Sequence, residues 1–296
     1  MEMHWTKLLF IIVAFCFCNT TGKNIGGFES FGNGFLDVEN LTAIEGEGRS
    51  WLSWGGEDEK EKSAVIYLHG LGDGKSDTRC NIFKSWAMEL SSERNYFICP
   101  KAPITPHALL PFTWPGIDHS VHSWFNFWMM PSVSVLSPWA GESKEQLDTA
   151  FGWVEKLIEI LINNAQVKSE NIVVAGSSQG GALTIWTALH TKYKLGGFIP
   201  MVTWLPLRNT YPITDIQPRP VNWNTPFLHI NGLADLIVPY YPAGMKTEEE
   251  MKKVFPNYVF KNEFGTHTTT FSRFNIFTIR KIRNWAKKNT NLKFWW

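Results

Sequence analysis

Short apolar segments alternate with amphipathic segments from about residue 64 onward, and this alternation is the strongest constraint on the fold. The apolar segments have the length and composition of buried strands, and they lie at 64–68, 96–99, 172–175, 198–201, 227–230 and 258–260. Between them, apolar residues recur at helical spacing, most clearly over 147–161. The pattern predicts an α/β fold with a mostly parallel central sheet covered by helices on both faces.

The N-terminal region has the form of a secretory signal. Residues 8–18 are an unbroken apolar run of eleven residues, followed by small or weakly polar residues. That run matches a signal-peptide core and is too short to span a bilayer. We therefore interpret residues 1–22 as a cleaved signal peptide and expect the protein to be secreted or to reside in the lumen of the secretory or endolysosomal pathway. Asn40 begins an Asn-Leu-Thr glycosylation sequon.

The rest of the chain divides into three parts. Residues 23–62 are rich in glycine, polar and charged residues, which indicates an N-terminal extension and linker. Residues 63–290 form the predicted α/β domain, and 291–296 form a C-terminal tail. Residues 280–296 contain six lysines and arginines and no acid. They form either a weak contact with an anionic membrane surface or the solvated face of the last helix with a loose tail.

Charge and cysteine content limit the functional classes. The chain has 28 Lys and Arg against 27 Asp and Glu, a net charge of +1, which argues against a nucleic-acid-binding protein. Of four cysteines, two leave with the signal peptide. Cys80 and Cys99 remain, and the sequence leaves open whether they pair or stay separate thiols. The oligomeric state is also left open.

The segment Gly176-Ser177-Ser178-Gln179-Gly180 follows a predicted strand and begins a predicted helix. This is the Gly-x-Ser-x-Gly motif in the context that a nucleophile elbow requires. Small residues are needed around the serine because the turn between strand and helix is tight. Ser178 is therefore the candidate nucleophile.

A serine nucleophile needs a base and an acid. In folds with this strand–turn–helix motif, the acid follows the serine along the chain and the base follows the acid. His267 lies in a polar loop after the strand at 258–260, whereas His229 lies inside a strand. Asp235 follows the strand at 227–230, and we prefer it to Asp215, which lies in a proline-rich loop. We predict His267 as the base and Asp235 as its partner.

The oxyanion of such a reaction needs two backbone N–H donors. We expect one from Gln179, directly after the nucleophile, and one from Leu71, in the loop after the first strand. The same loop ends in Gly74-Lys75-Ser76, like a phosphate-binding P-loop. That motif would require glycine where the chain has His69, and it does not explain the serine, acid and base.

Together these motifs resemble the acyl-protein thioesterase family, a phospholipase/carboxylesterase branch of the α/β-hydrolases. The matching segments are 68–73, 98–100 with 102–103, 123–125, 176–183, 204–207 and 238–239. The resemblance implies that Ser178, Asp235 and His267 form the triad, and that Leu71 and Gln179 form the oxyanion hole. The family usually has phenylalanine where this chain has Ser177, histidine where it has Asn231, and proline where it has Leu236.

The resemblance and the residues together predict a serine hydrolase that cleaves ester or thioester bonds of lipid-like acyl substrates, such as a lysophospholipid or an acylated protein. No cofactor and no metal are expected. Four residues of the aromatic and methionine-rich stretch at 124–130 are predicted to bind the acyl chain: Trp124, Phe125, Trp128 and Met129. The alternatives are a non-catalytic lipid-binding protein on the same scaffold, a small-ester carboxylesterase, and a peptidase.

Overall fold

The computed structural model describes residues 62–73, 95–106, 120–127, 141–268, 270 and 276–292. The predicted signal peptide, nearly all of the N-terminal extension with Asn40, and most of the C-terminal tail lie outside these residues. None of the helices within these described residues has the length and hydrophobicity that a membrane span requires.

A six-stranded, all-parallel sheet forms the centre of the fold. Its strands are β1 (Ser63–Leu68), β2 (Asn95–Ile98), β5 (Ile172–Ser177), β6 (Gly197–Met201), β7 (Phe227–Gly232) and β8 (Tyr258–Glu263). Their order across the sheet is β2-β1-β5-β6-β7-β8. Every residue of β1, β5, β6 and β7 is buried. Such continuous burial is expected of parallel strands with both faces covered.

The helices lie on both faces of this sheet. They are α1 (Lys144–Asn163), α2 (Gln179–His190), α3 (Met245–Val254) and α4 (Ile276–Asn289). Residues of α1, α2 and α3 share one apolar core with the side chains of one face. Residues of α4 pack with the side chains of the other face. The predicted fold class is confirmed.

Two short strands lie within the region that the sequence analysis treats as one long loop, 100–141. They are β3 (Ile104–Pro106) and β4 (Ser120–His122), which pair antiparallel. Three residues are too few to show a strand period, so local pattern could not reveal them. The pair matters because the Gly72 N–H donates to His122 O at 2.9 Å, which fixes the loop after β1.

Cys99 directly follows β2 and is half-buried. It is disulfide-bonded, and its partner lies outside the described residues. Cys99 is therefore not a free thiol. The sequence left open whether Cys99 pairs with Cys80 or stays a separate thiol, and Cys80 lies outside the described residues.

Candidate active site

Ser178 occupies the sharp turn between β5 and α2. Its backbone has φ 52° and ψ −118°, a conformation that residues with side chains rarely adopt. The turn is possible because its neighbours lack side chains. A Cβ on Gly176 would lie 2.3 Å from Gly180 O, and one on Gly180 would lie 2.1 Å from Leu68 O.

Hydrogen bonds from neighbouring elements hold this strained backbone. The Ser178 N–H donates to Met201 O at 2.9 Å, at the end of β6. The Ser178 carbonyl accepts from the Ala182 N–H at 3.0 Å and from Thr203 Oγ1 at 2.6 Å. Because three separate bonds determine the turn, the Ser178 side chain has a defined position at the carboxyl end of the sheet.

His267 connects Ser178 to Asp235. His267 Nε2 lies 2.9 Å from Ser178 Oγ, and His267 Nδ1 lies 2.8 Å from Asp235 Oδ2. The structure therefore brings together the three residues that the sequence predicts as nucleophile, base and acid. With Nδ1 protonated and donating to the carboxylate, Nε2 is free to accept the serine proton.

Asp235 is fixed by its own loop. Its side chain is fully buried, and Oδ1 accepts from the N–H groups of Ile237 at 2.9 Å and Val238 at 2.8 Å. The loop of the acid is joined to that of the base, since the Ala234 N–H donates to Gly265 O at 2.9 Å. The spacing of acid and base is thus set by backbone contacts as well as by the side chains.

The two predicted oxyanion donors flank the serine. Gln179 is the first residue of α2, and the N–H of a first helical residue has no acceptor within its helix. Leu71 follows Gly70, where a Cβ would lie only 3.4 Å from the Ser178 Cβ. The loop after β1 therefore lies against Ser178, which is the position that the predicted oxyanion role requires.

The sequence matches the model of the phospholipase/carboxylesterase family over residues 56–274. The chain belongs to this family. The match to this family and the similar curated proteins identify the protein as a serine hydrolase. Among the described residues, no group of three or more His, Cys, Asp or Glu side chains is arranged to hold a metal ion.

Several family members similar to this chain are acyl-protein thioesterases. Acyl-protein thioesterase 1 of Candida albicans is 27% identical over 234 residues, which cover 77% of this chain and 94% of that protein. Acyl-protein thioesterase 1 homolog 1 of Dictyostelium discoideum is 30% identical over 183 residues, 60% of this chain and 70% of that protein.

Solved structures show the same fold. Arabidopsis thaliana SOBER1 superposes with a TM-score of 0.62 at 24% identity, covering 77% of this chain and 99% of that one. Zea mays acyl-protein thioesterase 2 has a TM-score of 0.58 at 22% identity, covering 78% of this chain and 95% of that one.

In this member of the phospholipase/carboxylesterase family, the Gln179 side chain ties the elbow to the segment after β4. Gln179 is fully buried. Its Oε1 accepts from the Trp124 N–H at 3.0 Å, and its Nε2 donates to Ser123 Oγ at 3.0 Å and Phe125 O at 2.5 Å. The sequence predicts a role only for the backbone of Gln179. The signal that the sequence offered for its side chain was a long polar residue at a position where the tight turn requires burial.

His69 connects the loop after β1 to the segments that contain Ala102 and Trp124. Its Nε2 accepts from the Ala102 N–H at 3.0 Å, and its carbonyl accepts from Trp124 Nε1 at 2.8 Å. Burial lowers the pKa of His69 to about 4, so the ring is neutral and its Nε2 can accept. From the sequence alone, His69 served only to exclude a P-loop.

Two of the three departures from the usual family residues take part in buried hydrogen bonds. Tyr67 Oη donates to Ser177 Oγ at 2.9 Å, directly before the nucleophile. Asn231 Nδ2 donates to Val238 O at 2.9 Å and so closes the loop around Asp235. The third, Leu236, is 68% exposed beside the acid.

Trp124 and Phe125, two of the predicted acyl-binding residues, lie in the apolar core. Both are buried, and the Phe125 ring packs against Trp204 with centroids 6.5 Å apart. Trp128 and Met129 lie outside the described residues. The role of these four side chains in acyl binding stays a prediction.

Proposed function

We propose that this protein is a secreted or lumenal hydrolase that cleaves the ester or thioester bond of acyl substrates through Ser178, His267 and Asp235. The observation that carries the proposal is the continuous chain of hydrogen bonds from Ser178 Oγ to the buried Asp235 carboxylate, at 2.9 and 2.8 Å. A non-catalytic lipid-binding protein would have no need for a strained serine hydrogen-bonded to a histidine side chain.

In the first half of the proposed reaction, Ser178 Oγ attacks the acyl carbonyl carbon while His267 Nε2 takes the hydroxyl proton. The tetrahedral intermediate collapses, the bond to the leaving alcohol or thiol breaks, and His267 returns the proton to that group. Water then attacks the acyl-enzyme by the same route, which releases the carboxylic acid and restores Ser178. Asp235 stabilises the imidazolium that forms twice in each cycle.

The negative charge on the intermediate needs donors that are already in place. The N–H groups of Leu71 and Gln179 supply them in this proposal, and the N-terminus of α2 adds its positive partial charge. Removing a single donor of this kind typically lowers kcat by ~10²- to 10³-fold. In this proposal, the donors are held in position by the bonds of Gln179 to residues 123–125 and by the bonds of His69 to Ala102 and Trp124.

A lipid-like substrate is supported by the rim of the site. Three large apolar side chains on the acid and base loops point into solvent: Leu233 is 57% exposed, Leu236 68% and Phe264 85%. The loops that carry them are joined, because the Leu233 N–H donates to Glu263 O. Apolar residues concentrated around a site favour an apolar ligand. The names of the similar proteins point the same way, toward acyl groups on proteins, and a lysophospholipid fits the same rim.

The compartment is proposed from three features: the apolar run at 8–18, the sequon at Asn40 and the disulfide of Cys99. Protein recovered from the medium of a secreting eukaryotic cell should migrate faster after N-glycosidase treatment, and Asn40→Gln should abolish that shift. Protein found only in the cytosol with residues 1–22 attached would contradict the proposed location.

A substrate series tests the acyl specificity. Lengthening a p-nitrophenyl ester from two to eight carbons should raise kcat/KM by at least ~10-fold, since each buried CH₂ contributes about 0.8 kcal/mol and only part of the burial need be realised. Matched thioesters measured in parallel give the preference between the two bond types. Leu236→Gln should weaken the dependence of kcat/KM on acyl-chain length. The control Val221→Gln should not, because Val221 is an exposed apolar residue before the amino end of β7. If acetyl esters are hydrolysed best, the protein is a small-ester carboxylesterase.

A further inference from the structure

A cavity of about 300 Å³ lies between the segment that follows β6 and the helix α3. Leu205, Pro212 and Ile213 supply apolar walls, while Arg208, Lys246 and Glu250 supply charges. Its volume is at the lower end of the range for small-molecule sites. None of these residues belongs to the machinery proposed for catalysis.

The walls of this cavity are held in place by buried contacts. The carboxylate of Glu142 accepts hydrogen bonds from Trp204 Nε1 and from the Leu207 N–H, directly before Arg208. On the other side, the Leu205 N–H donates to Thr247 Oγ1 of α3 at 3.0 Å. Hydrogen bonds thus connect the segment to the helix and to Glu142 beside the cavity.

Arg208 has unused hydrogen-bonding capacity. Within the described residues, its guanidinium makes one hydrogen bond, from Nη1 to Ala243 O at 3.5 Å, and no carboxylate lies within ion-pair distance. Burial lowers the pKa of Arg208, although Glu142 and Glu250 partly offset this effect through their charge. A guanidinium has five N–H donors in a planar fork, so most of its donors remain available to a ligand.

The other charges at the cavity are already paired. Lys246 Nζ lies 3.1 Å from the exposed Glu249 carboxylate, and Glu250 lies 2.6 Å from Lys253 Nζ. Exposed pairs of this kind are weak and exchange easily. Among the described residues, the cavity charge without an ion-pair partner is therefore that of Arg208, which lies beside the apolar walls.

We propose that this cavity binds a phosphate group attached to an organic residue, with Arg208 as the main anchor and Lys246 as a second cation. The planar fork of arginine matches two phosphate oxygens. The apolar walls formed by Leu205, Pro212 and Ile213 would contact the carbon atoms attached to the phosphate. The same chemistry occurs in a phospholipid head group and in a free phosphate ester.

Calorimetric titration with glycerol 3-phosphate tests the anchor. The Ser178→Ala variant should bind it with the same Kd as the unmodified protein, because the site does not depend on the proposed nucleophile. Arg208→Gln should weaken binding by at least ~10-fold, the loss expected for a charge-assisted hydrogen bond. The matched control is Arg219→Gln, which removes an exposed arginine stacked on Trp223 and should leave Kd unchanged.

A second variant is expected to change the affinity for glycerol 3-phosphate in the opposite direction. Glu250→Gln removes the carboxylate at the cavity and should tighten binding by ~3-fold or more. This variant tests the proposed phosphate site if Arg208→Gln does not fold. Unchanged affinity in Arg208→Gln, or in Glu250→Gln when the former is unfolded, would overturn the proposal. So would an equal loss in Arg219→Gln.

The source of the phosphate is distinguished in the Ser178→Ala background, where turnover is removed. Lysophosphatidic acid below its micelle concentration is compared with glycerol 3-phosphate, and a monoacylglycerol serves as the control without phosphate. Tighter binding of the lysolipid by ~10-fold or more, dependent on Arg208, assigns the site to a lipid head group. Equal binding of the two phosphates assigns it to a free phosphate ester.

Discussion

The proposed role of Asp235 makes a sharp prediction for Asp235→Asn, a substitution that changes only one oxygen to an amide nitrogen. Oδ1 of Asp235 accepts from two backbone N–H groups, those of Ile237 and Val238. The new side chain must therefore keep its carbonyl oxygen at that position. Its NH₂ group then replaces Oδ2, 2.8 Å from His267 Nδ1.

An amide N–H facing Nδ1 favours the tautomer of His267 that carries its proton on Nε2. That proton points at Ser178 Oγ, so the imidazole can no longer accept the hydroxyl proton. We expect kcat to fall by ~10³- to 10⁴-fold, about 4 to 5.5 kcal/mol of transition-state stabilisation. The fold should be retained, because both backbone hydrogen bonds survive.

The assay is hydrolysis of a p-nitrophenyl ester near pH 7.5, with far-UV circular dichroism to verify folding. Asp215→Asn is the matched control, since Asp215 is the exposed acid in the 3₁₀ turn Ile213–Asp215. It should keep nearly full activity. A folded Asp235→Asn variant with more than about a tenth of the original kcat would refute the tautomer argument.

Two further predictions concern stability. Gly180→Ala should destabilise the fold by more than ~3 kcal/mol, because its Cβ would meet Leu68 O. Gly152→Ala, on an open face of α1, should stabilise the fold by up to ~1 kcal/mol. Equal midpoints of the two variants in urea denaturation would contradict the close contact between Gly180 and Leu68. Burial lowers the pKa of His229 to about 3, while the unfolded chain takes up that proton near pH ~6.5. Stability from this histidine is therefore lost as pH falls from about 6.5 toward 3, by up to ~1.4 kcal/mol per pH unit. His229→Gln should flatten the dependence of unfolding free energy on pH between 6 and 4.5, and an unchanged slope would show that His229 is not held neutral.

Local sequence pattern was sufficient for the main architecture, and it pointed to three residues that the structure brings together, Ser178, Asp235 and His267. Strands and helices have different periods of apolar residues, so each segment could be assigned from its own neighbours. Ser178 was found because a tight turn needs small residues on both sides. Asp235 and His267 followed from their positions after strands, because the carboxyl ends of parallel strands meet at one edge.

The contacts that support the site could not be predicted in this way. Gln179 bonds to residues 54 to 56 positions earlier in the chain, and Glu142 bonds to Leu207, 65 positions later. Neither contact produces a periodic pattern in the sequence, because each depends on how distant segments of the chain pack together in the fold. The short β3–β4 pair has the same origin.

The central claim, that Ser178 is the nucleophile, is tested most directly by intact-protein mass spectrometry after reaction with a fluorophosphonate. The unmodified protein should gain one phosphonyl group, which peptide mapping should place on Ser178. Ser178→Ala, folded by circular dichroism, should gain none and should lose hydrolysis by at least ~10³-fold. Labelling of Ser177 or another residue, or near-normal hydrolysis by Ser178→Ala, would contradict the account.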